Sequence, residues 1–405
     1  MESATNEKKI KNNVCRQVSS DKCCGCSACY QICHFGAIKM TEDEYGCRVP
    51  AVDDDVCVEC GMCLKTCPIL HSDENRNRPI GCYAATNKSL EESFHCSSGG
   101  IFTAIAEYVI NEGGIVCGAT FADGFRVRHI MVDNMNTLNQ IKKSKYVQSD
   151  TTDIYKKVKA FLAEGRYLLF SGTPCQVRGL YTFLGLQDHE KLLTVDVVCH
   201  GVPSQLLFDD YISHFRNINH GLDSYTFRAK RKARNGMKCF FSFDINEKKH
   251  FRNWPEDSYN YYYMMGKTYR ESCYSCPFAS VDRVSDITLC DYWSWEKYHV
   301  GDFDELDCVS GVLLNTHSGK QLFEEIKNSI VYVPANLDDI VRHNGCLVAP
   351  TEKPSDRDSI LRDWQEKGYA FVDDTFRKKY KMQRMKYAIM RQLPDRLVDI
   401  LARLK

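Results

Sequence analysis

The sequence predicts an α+β to α/β protein in two unequal parts. A short cysteine-rich unit is followed by a mixed, mostly parallel α/β body that carries an antiparallel hairpin insertion and a basic C-terminal helical tail. Three observations predict this. Eleven of the 22 cysteines fall within residues 1–67. From Gly81 onward, apolar runs of strand length alternate with runs of helical period. Past Gly221, two strand-like segments flank Asn235-Gly236, a pair that favours the tight turn of a hairpin.

The N-terminal unit is built on two cysteine runs of identical spacing, 34 residues apart. The first is Cys23, Cys26, Cys29 and Cys33; the second is Cys57, Cys60, Cys63 and Cys67, followed by Pro68. This is the spacing of a two-cluster bacterial ferredoxin, in which three thiolates of a run bind one 4Fe-4S cluster and the fourth crosses to the other. The expected ligand sets are therefore Cys23, Cys26, Cys29 and Cys67 for one cluster, and Cys57, Cys60, Cys63 and Cys33 for its neighbour. Two structural zinc sites are the competing reading, but zinc needs four ligands in two pairs and would leave the third Cys-x2-Cys step unused. His34 stands where the first run would ordinarily carry proline, and Cys24 is off register and reads as a bystander. Ala37 to Met40 and Cys47 to Pro50 read as short strands around the clusters.

Composition narrows the setting. Lys plus Arg equals Asp plus Glu at 53 each, so no global charge argues for nucleic acid or a membrane surface. Met1 to Asn13 is polar and lysine-rich without the apolar core of a signal peptide, and no run reaches 18 apolar residues. A cytoplasmic location is the expectation, and in a reducing compartment the cysteines read as metal ligands or free thiols rather than disulfides.

Along the body, Ile101 to Ile110 has helical spacing and stops at Gly113-Gly114, and Ile115 to Phe121 reads as a buried strand. Asp153 to Leu162 is a second amphipathic helix, followed by a strand at Tyr167 to Phe170. Val177 to Leu184 is again helical, Leu192 to Val198 a strand, and Gln205 to Phe215 a helix with Ser204 as its N-cap. Strands separated by single helices predict a largely parallel sheet covered on both faces. The hairpin strands are Tyr225 to Phe227 and Cys239 to Ile245; the intervening Arg228, Lys230, Arg231, Lys232 and Arg234 read as a solvated tip. Val309 to Leu314 returns as a strand and Gly319 to Asn328 as a helix. Phe376 to Lys405 is helical in pattern, interrupted at Pro394, with ten basic residues against two acidic. A helix docked on its own protein or on a partner subunit is favoured over peripheral membrane contact, because the apolar positions are few and lack tryptophan.

A second set of cysteines lies at predicted strand ends. Cys175 follows one strand in Ser171-Gly172-Thr173-Pro174-Cys175-Gln176, and Cys199 follows another in Val198-Cys199-His200-Gly201. Sites form at the carboxyl ends of parallel strands, which places these thiols in one crevice. Cys273 and Cys276 add a Cys-x2-Cys pair, with Cys290 competing for the fourth place. Cys15, Cys47, Cys82, Cys96, Cys117, Cys239, Cys308 and Cys346 have no metal spacing and read as structural. Ser97-Ser98-Gly99-Gly100 is a small-residue turn entering a helix, a recipe for holding phosphate on backbone amides. Ser144, Lys145, Tyr146 and Ser149 offer hydroxyls and a cation. No Gly-x-Gly-x-x-Gly follows a strand, so a Rossmann-type nicotinamide site is not supported.

Taken together, Ser97 to Gly100, Ser144 to Ser149, Ser171 to Gln176, Cys199 to Pro203, Cys273 to Cys276 and Arg283 to Trp293 resemble the coenzyme F420 hydrogenase/dehydrogenase beta-subunit family, bacterial members of which carry a dicluster ferredoxin module in front. The resemblance runs from about residue 20 to about 330. It implies a third 4Fe-4S cluster on Cys175, Cys199, Cys273 and Cys276, selecting Cys276 over Cys290. It also implies FAD beside that cluster, held by Ser97, Ser98, Gly99, Gly100, Ser144, Lys145, Tyr146, Ser149, Gly172 and Thr173. The expected division is a ferredoxin-like domain at 1–75, the family's N-terminal region at 80–160, its flavin and iron-sulfur region at 161–350, and the tail at 355–405.

The implied activity is that of an iron-sulfur flavoprotein oxidoreductase relaying electrons between a small organic hydride donor or acceptor and the ferredoxin-type clusters, with Lys145 and His200 as candidate catalytic residues. Relatives act on deazaflavin and tetrapyrrole compounds, and some accompany surface-polysaccharide genes. The implied partner is a ferredoxin or another oxidoreductase subunit of an anaerobic metabolism. The alternative is a non-catalytic electron-transfer subunit of a larger redox complex or of a surface-polysaccharide pathway.

Overall fold

A computed structural model describes residues 12–186, 189–233, 236–304 and 308–393. In chain order its strands are β1 (Ile38–Glu42), β2 (Arg48–Val52), β3 (Gly81–Asn87), β4 (Ile115–Phe121), β5 (Val127–Val132), β6 (Leu168–Gly172), β7 (Leu192–Val197), β8 (Ser224–Ala233), β9 (Gly236–Ile245), β10 (Lys248–Arg252), β11 (Ile287–Asp291), β12 (Ser310–Leu314) and β13 (Ile330–Pro334). They form an antiparallel pair β1-β2, a three-stranded antiparallel sheet β10-β9-β8, and an eight-stranded sheet ordered β13-β3-β12-β11-β7-β6-β4-β5.

The large sheet is mixed. β4, β6, β7 and β11 pair in parallel, whereas β5, β12, β3 and β13 join through antiparallel ladders. Following those directions, β3, β4, β6, β7 and β11 all run the same way, so five carboxyl ends share one edge of the sheet. Alternation along the strands fills both faces. Val116 and Leu169 turn toward the helices Ile101–Asn111 and His317–Ile326. Ile115, Cys117, Leu168 and Phe170 turn toward the helices Ile154–Ala163 and Pro174–Phe183. Each fully buried Leu, Val or Phe contributes roughly 1.5–3 kcal/mol.

A buried ion pair sets β11 against β7. Arg283 Nη2 lies 3.0 Å from Asp196 Oδ1, with both side chains at most 1% exposed, and Thr288 Oγ1 donates to the same carboxylate oxygen at 2.6 Å. Removing one partner of such a pair typically costs about 3–5 kcal/mol, because the other charge stays buried.

The helix Gln205–Asn219 starts at the expected cap, with Ser204 Oγ accepting from Leu207 N. It packs with β8, β9, the helix Ser258–Met264 and the helix Arg357–Lys379 in an aromatic second core that includes Phe208, Tyr211, Tyr225, Phe241, Tyr259 and Trp364. The basic tail departs from its expected start at Phe376. The helix begins at Arg357, breaks its geometry at Gly368 (φ 78°), ends at Lys379 and resumes over Lys381–Gln392. Trp364 Nε1 donates to Asp210 Oδ2 and Arg391 pairs with Glu256, so this stretch docks on its own chain; the expected interruption at Pro394 lies outside the described residues. Among the described residues no helix is long and apolar enough to cross a membrane.

The hairpin insertion is a three-stranded meander rather than a pair, and its tip, Arg234-Asn235, is outside the described residues. Two of the five basic residues expected at a solvated tip point inward instead. Arg228 pairs with Asp291 at 2.6 Å, and Lys230 is buried with its ammonium on the carbonyl oxygens of Ser93 and Ser98. A bulge redirects the strand here: Phe227 and Arg228 together stand opposite the single Phe241.

Candidate functional site

The twin runs fold alike. Left-handed backbone recurs at the second and fourth positions after each first cysteine, at Gly25 and Ser27 in one run and at Glu59 and Gly61 in the other. Each loop thereby curls on itself before a short helix, Ala28–Ile32 or Met62–Lys65, which carries the third thiol. The fourth thiols, Cys33 and Cys67, follow the ends of those helices and face the opposite loop. Cys23, Cys26, Cys29 and Cys67 line one cavity together with Val14, Met40 and Ile69. Cys33, Cys57, Cys60 and Cys63 line a second. The thiols surround space rather than meet at a point: among the described residues no group of three or more His, Cys, Asp or Glu side chains is arranged to hold a single metal ion. Gly25 N–H donates to Cys23 Sγ at 3.3 Å, a contact of the kind that stabilises a cluster-bound sulfur. This donor set fits two cubane clusters with exchanged fourth ligands.

The two cavities differ in exposure. Cys26, Cys29 and Cys67 are buried, whereas Cys60 is exposed. The buried loop is clamped to the body. Gln31 donates to Thr151 O and accepts from Tyr155 N, Thr151 Oγ1 donates to Cys26 O at 2.8 Å, and Thr182 Oγ1 donates to Thr66 O at 2.7 Å. Gly179 is required by this contact, because a Cβ there would meet Cys26 Sγ at 3.1 Å and Tyr155 OH at 3.0 Å.

Cys175, Cys199, Cys273 and Cys276 are brought together from β6, β7 and the turn Glu271–Ser275. Burial pushes the Cys199 thiol up, and neighbouring Cys273, Cys175 and Cys276 push it further. Cys276 is pushed up to about 11 by burial and then by Cys175. The four thiols thus lie close enough to raise one another's pKa. Cys290 is not among them; its sulfur packs against Gly311, where a Cβ would approach it to 2.6 Å. Cys175 opens the helix Pro174–Phe183 behind a Thr173/Gln176 capping box with Pro174 in its first turn.

Two residues between the cysteine sets were not singled out as ligands or partners by sequence. The Cys24 thiol lies beside both Cys26 and Cys175. Arg270 is 2% exposed and donates to Cys23 O at 2.6 Å, Arg48 O at 3.2 Å and Gln148 Oε1 at 2.7 Å. His200 sits at the same edge, but its Nδ1 lies 3.5 Å from Cys346 Sγ, a thiol read from sequence as structural. That contact holds the His200 pKa up against burial.

The residues expected around a flavin fall in two adjoining groups. Ser144 N donates to Ser97 Oγ at 2.8 Å. Gly99 N donates to Ser310 Oγ, which in turn donates to Ser98 Oγ. Gly100 has φ 79°, and no side chain caps the helix Ile101–Asn111 behind it, so its first N–H groups remain free for an anion. In the second group, Ser149 Oγ bonds His129 Nδ1 at 2.7 Å, and His129 Nε2 reaches Ser171 O beside Gly172 and Thr173. Tyr146, between the groups, stacks on Tyr263 with ring centres 4.2 Å apart. Lys145 donates only to the carbonyl oxygens of Gln140 and Lys142, and burial, then Lys143, pull its pKa down to about 7. Lys143 is lowered by burial and by Lys249 and Lys230. Among the described residues Lys143, Lys145 and Lys230 have no carboxylate partner.

Two family models match separate parts of the chain. Residues 22–69 match the model of the 4Fe-4S dicluster domain, and residues 165–339 match that of the C terminus of the coenzyme F420 hydrogenase/dehydrogenase beta subunit. An uncharacterized ferredoxin of Methanocaldococcus jannaschii is 37% identical over 71 residues, covering 15% of this chain and 91% of the ferredoxin. A chain in the xenon-derivatized F420-reducing [NiFe] hydrogenase complex of Methanosarcina barkeri is similar at a TM-score of 0.42 and 15% identity, over 76% of this chain and 95% of that one. With the twin loops ahead and the strand-end cysteines behind, the chain joins a 4Fe-4S dicluster domain at residues 22–69 to the C-terminal domain of the coenzyme F420 hydrogenase/dehydrogenase beta-subunit family at residues 165–339.

Proposed function

We propose that the chain is an iron-sulfur flavoprotein oxidoreductase in which a flavin at the carboxyl edge of the large sheet communicates with three 4Fe-4S clusters. Cys23, Cys26, Cys29 and Cys67 would hold the buried N-terminal cluster, Cys57, Cys60, Cys63 and Cys33 the outer one, and Cys175, Cys199, Cys273 and Cys276 the third. The observation that carries the flavin reading is the group of three lysines, Lys143, Lys145 and Lys230, gathered without carboxylates around Ser97 to Gly100 and an uncapped helix start. Ammonium groups gathered at this density, Lys230 buried and Lys143 and Lys145 half-buried, call for an anion of more than one charge, and the diphosphate of FAD supplies it.

Bound flavin supplies the conversion between a hydride pair and single electrons. The chain's own residues do the rest. Gly99 and Gly100 let the backbone approach the diphosphate, Lys145 holds a proton against it, and the Tyr146 ring, fixed by Tyr263, limits the water that reaches the edge. Lys145 and His200 are the titratable groups placed to hold or move a proton there. Arg270 and Cys24 keep the first cysteine loop against the third thiol set, so the relay is short. The outer cluster, with Cys60 at the surface, is where a redox partner subunit or a ferredoxin would exchange electrons, and a small organic hydride donor or acceptor would meet the flavin.

Anaerobic reconstitution followed by flavin, iron and sulfide quantification tests this. About twelve irons with matching sulfide and one flavin released on denaturation are expected. A protein that holds the iron but releases no flavin is instead an electron-transfer subunit without substrate chemistry of its own.

A further inference from the structure

We propose that Cys239 and Cys308, at the mouth of the crevice beside Ser98, form a redox-active dithiol whose substrate is a disulfide. The site adjoins the residues of the flavin reading at Ser98, Gly99 and Lys230 but does not rest on that reading. Among the 22 cysteines, Cys60 and Cys239 are the exposed ones, and Cys60 belongs to the second run. A free cysteine is ordinarily among the most buried residues, so the exposure of Cys239 needs a reason. Its surroundings give one. Cys239 stands opposite Lys230 across the β8-β9 ladder, and the Lys230 ammonium reaches Ser98 O beside the Gly99–Cys308 contact, so the Cys239 and Cys308 thiols are neighbours there. The bulge at Phe227 and Arg228 brings the Arg228 guanidinium to 3.8 Å from Cys239 Sγ. That guanidinium is fixed from two other sides, by Asp291 at 2.6 Å and by the face of the exposed Trp293 at 6.0 Å. Cys308 is the last loop residue but one before β12, and its carbonyl presses on Gly99, where a Cβ would come within 2.8 Å.

The two thiols are unequal, as a dithiol site requires. Cys239 is the exposed thiol and has the Arg228 guanidinium 3.8 Å from its sulfur, a charge that favours its thiolate. The Cys308 thiol is held up by its Cys239 neighbour and by burial, although Lys230 and Arg228 oppose this. The remaining charged or titratable groups facing the pair are Asp291 and Tyr146. Cys239 is therefore the attacking thiolate and Cys308 the resolving thiol. In the first step the Cys239 sulfur bonds to one sulfur of the substrate disulfide, and the other leaves as a thiolate. In the second, the Cys308 proton passes to that leaving thiolate, and the Cys308 sulfur attacks Cys239 and expels the second substrate thiolate, which takes a proton from water. Two electrons move from the protein dithiol to the substrate, one disulfide becomes two thiols, and an external dithiol restores the pair.

The test uses the anaerobically reconstituted full chain, so that cluster cysteines are protected as ligands. With iodoacetamide at pH 7, peptide mass spectrometry should find Cys239 alkylated about tenfold faster than a small-molecule thiol, and Arg228→Met should remove most of that advantage. Oxidised glutathione should produce a Cys239–Cys308 linkage in the unaltered protein, and a lasting glutathione adduct on Cys239 in Cys308→Ser. Absence of the linkage, ordinary alkylation of Cys239, or an adduct no longer-lived in Cys308→Ser would each overturn the proposal. Iron and flavin measured on the same samples report separately on the cofactor reading.

Discussion

Arg270 donates from Nη2 to the backbone oxygen of Cys23 at 2.6 Å, while its own backbone oxygen accepts from Cys273 N at 3.1 Å. One buried residue thus touches the first cysteine of the N-terminal unit and the first of the Cys-x2-Cys pair in the body. Replacing Arg270 by Met should leave the oxygens of Cys23 and Arg48 and the Gln148 amide without their donor, at a cost of about 3 kcal/mol. Hydrogen exchange should then rise across residues 23–52 before it rises in β6 and β7. Equal protection in both regions would mean that Arg270 does not join them.

The exchange of fourth ligands can be tested by cluster exposure. Cys67→Ala should remove the buried N-terminal cluster, lowering iron from about twelve to about eight per chain, and the iron retained at the N-terminal side should be readily taken by a chelator. Cys33→Ala should cost the same iron but leave the slowly chelated site. The reverse assignment of fast and slow iron would show that each run keeps its own fourth ligand.

Lys145 gives the flavin site a pH signature. Its pKa near 7 without an anion must rise when a diphosphate binds, since the anion favours the ammonium form. Flavin affinity should therefore be flat below pH 7 and weaken above it, by up to about tenfold per unit, until the pKa of the bound state is passed. Lys145→Met should bind about 10–100-fold more weakly at pH 6 and lose the slope. A slope that survives the substitution would assign the titration to another group.

Much of the fold was legible because it is local. The Ser204 cap, the stops at Gly113 and Gly165, and the doubled cysteine spacing each act within a few residues. The helix starts at Pro174, a turn ahead of the apolar spacing that begins at Val177, and the signature for that start lies in Thr173, Pro174 and Gln176 rather than in the apolar pattern. The antiparallel insertion of β3 was not legible, since both its partners, β12 and β13, lie more than 200 residues away, and β12 takes only its β11 neighbour from nearby. The inward turn of Arg228 and Lys230 was hidden for the same reason: one needs Asp291 and a bulge, the other the carbonyls of Ser93 and Ser98. At the site, the thiols announced themselves by spacing. Arg270 and Cys24 did not, because their roles exist only once the two parts meet.

The seat of Cys26 against Gly179 also constrains the order of assembly. Cys26, Cys29 and Cys67 of the inner site are buried, and Gly179 of the Pro174–Phe183 helix closes on Cys26. Loading of that site is then a step in the maturation of the chain, completed as the body closes, whereas the outer site with Cys60 at the surface stays open to later insertion and repair. Cluster delivery after release from the ribosome should accordingly fill the two halves of the N-terminal unit at different times.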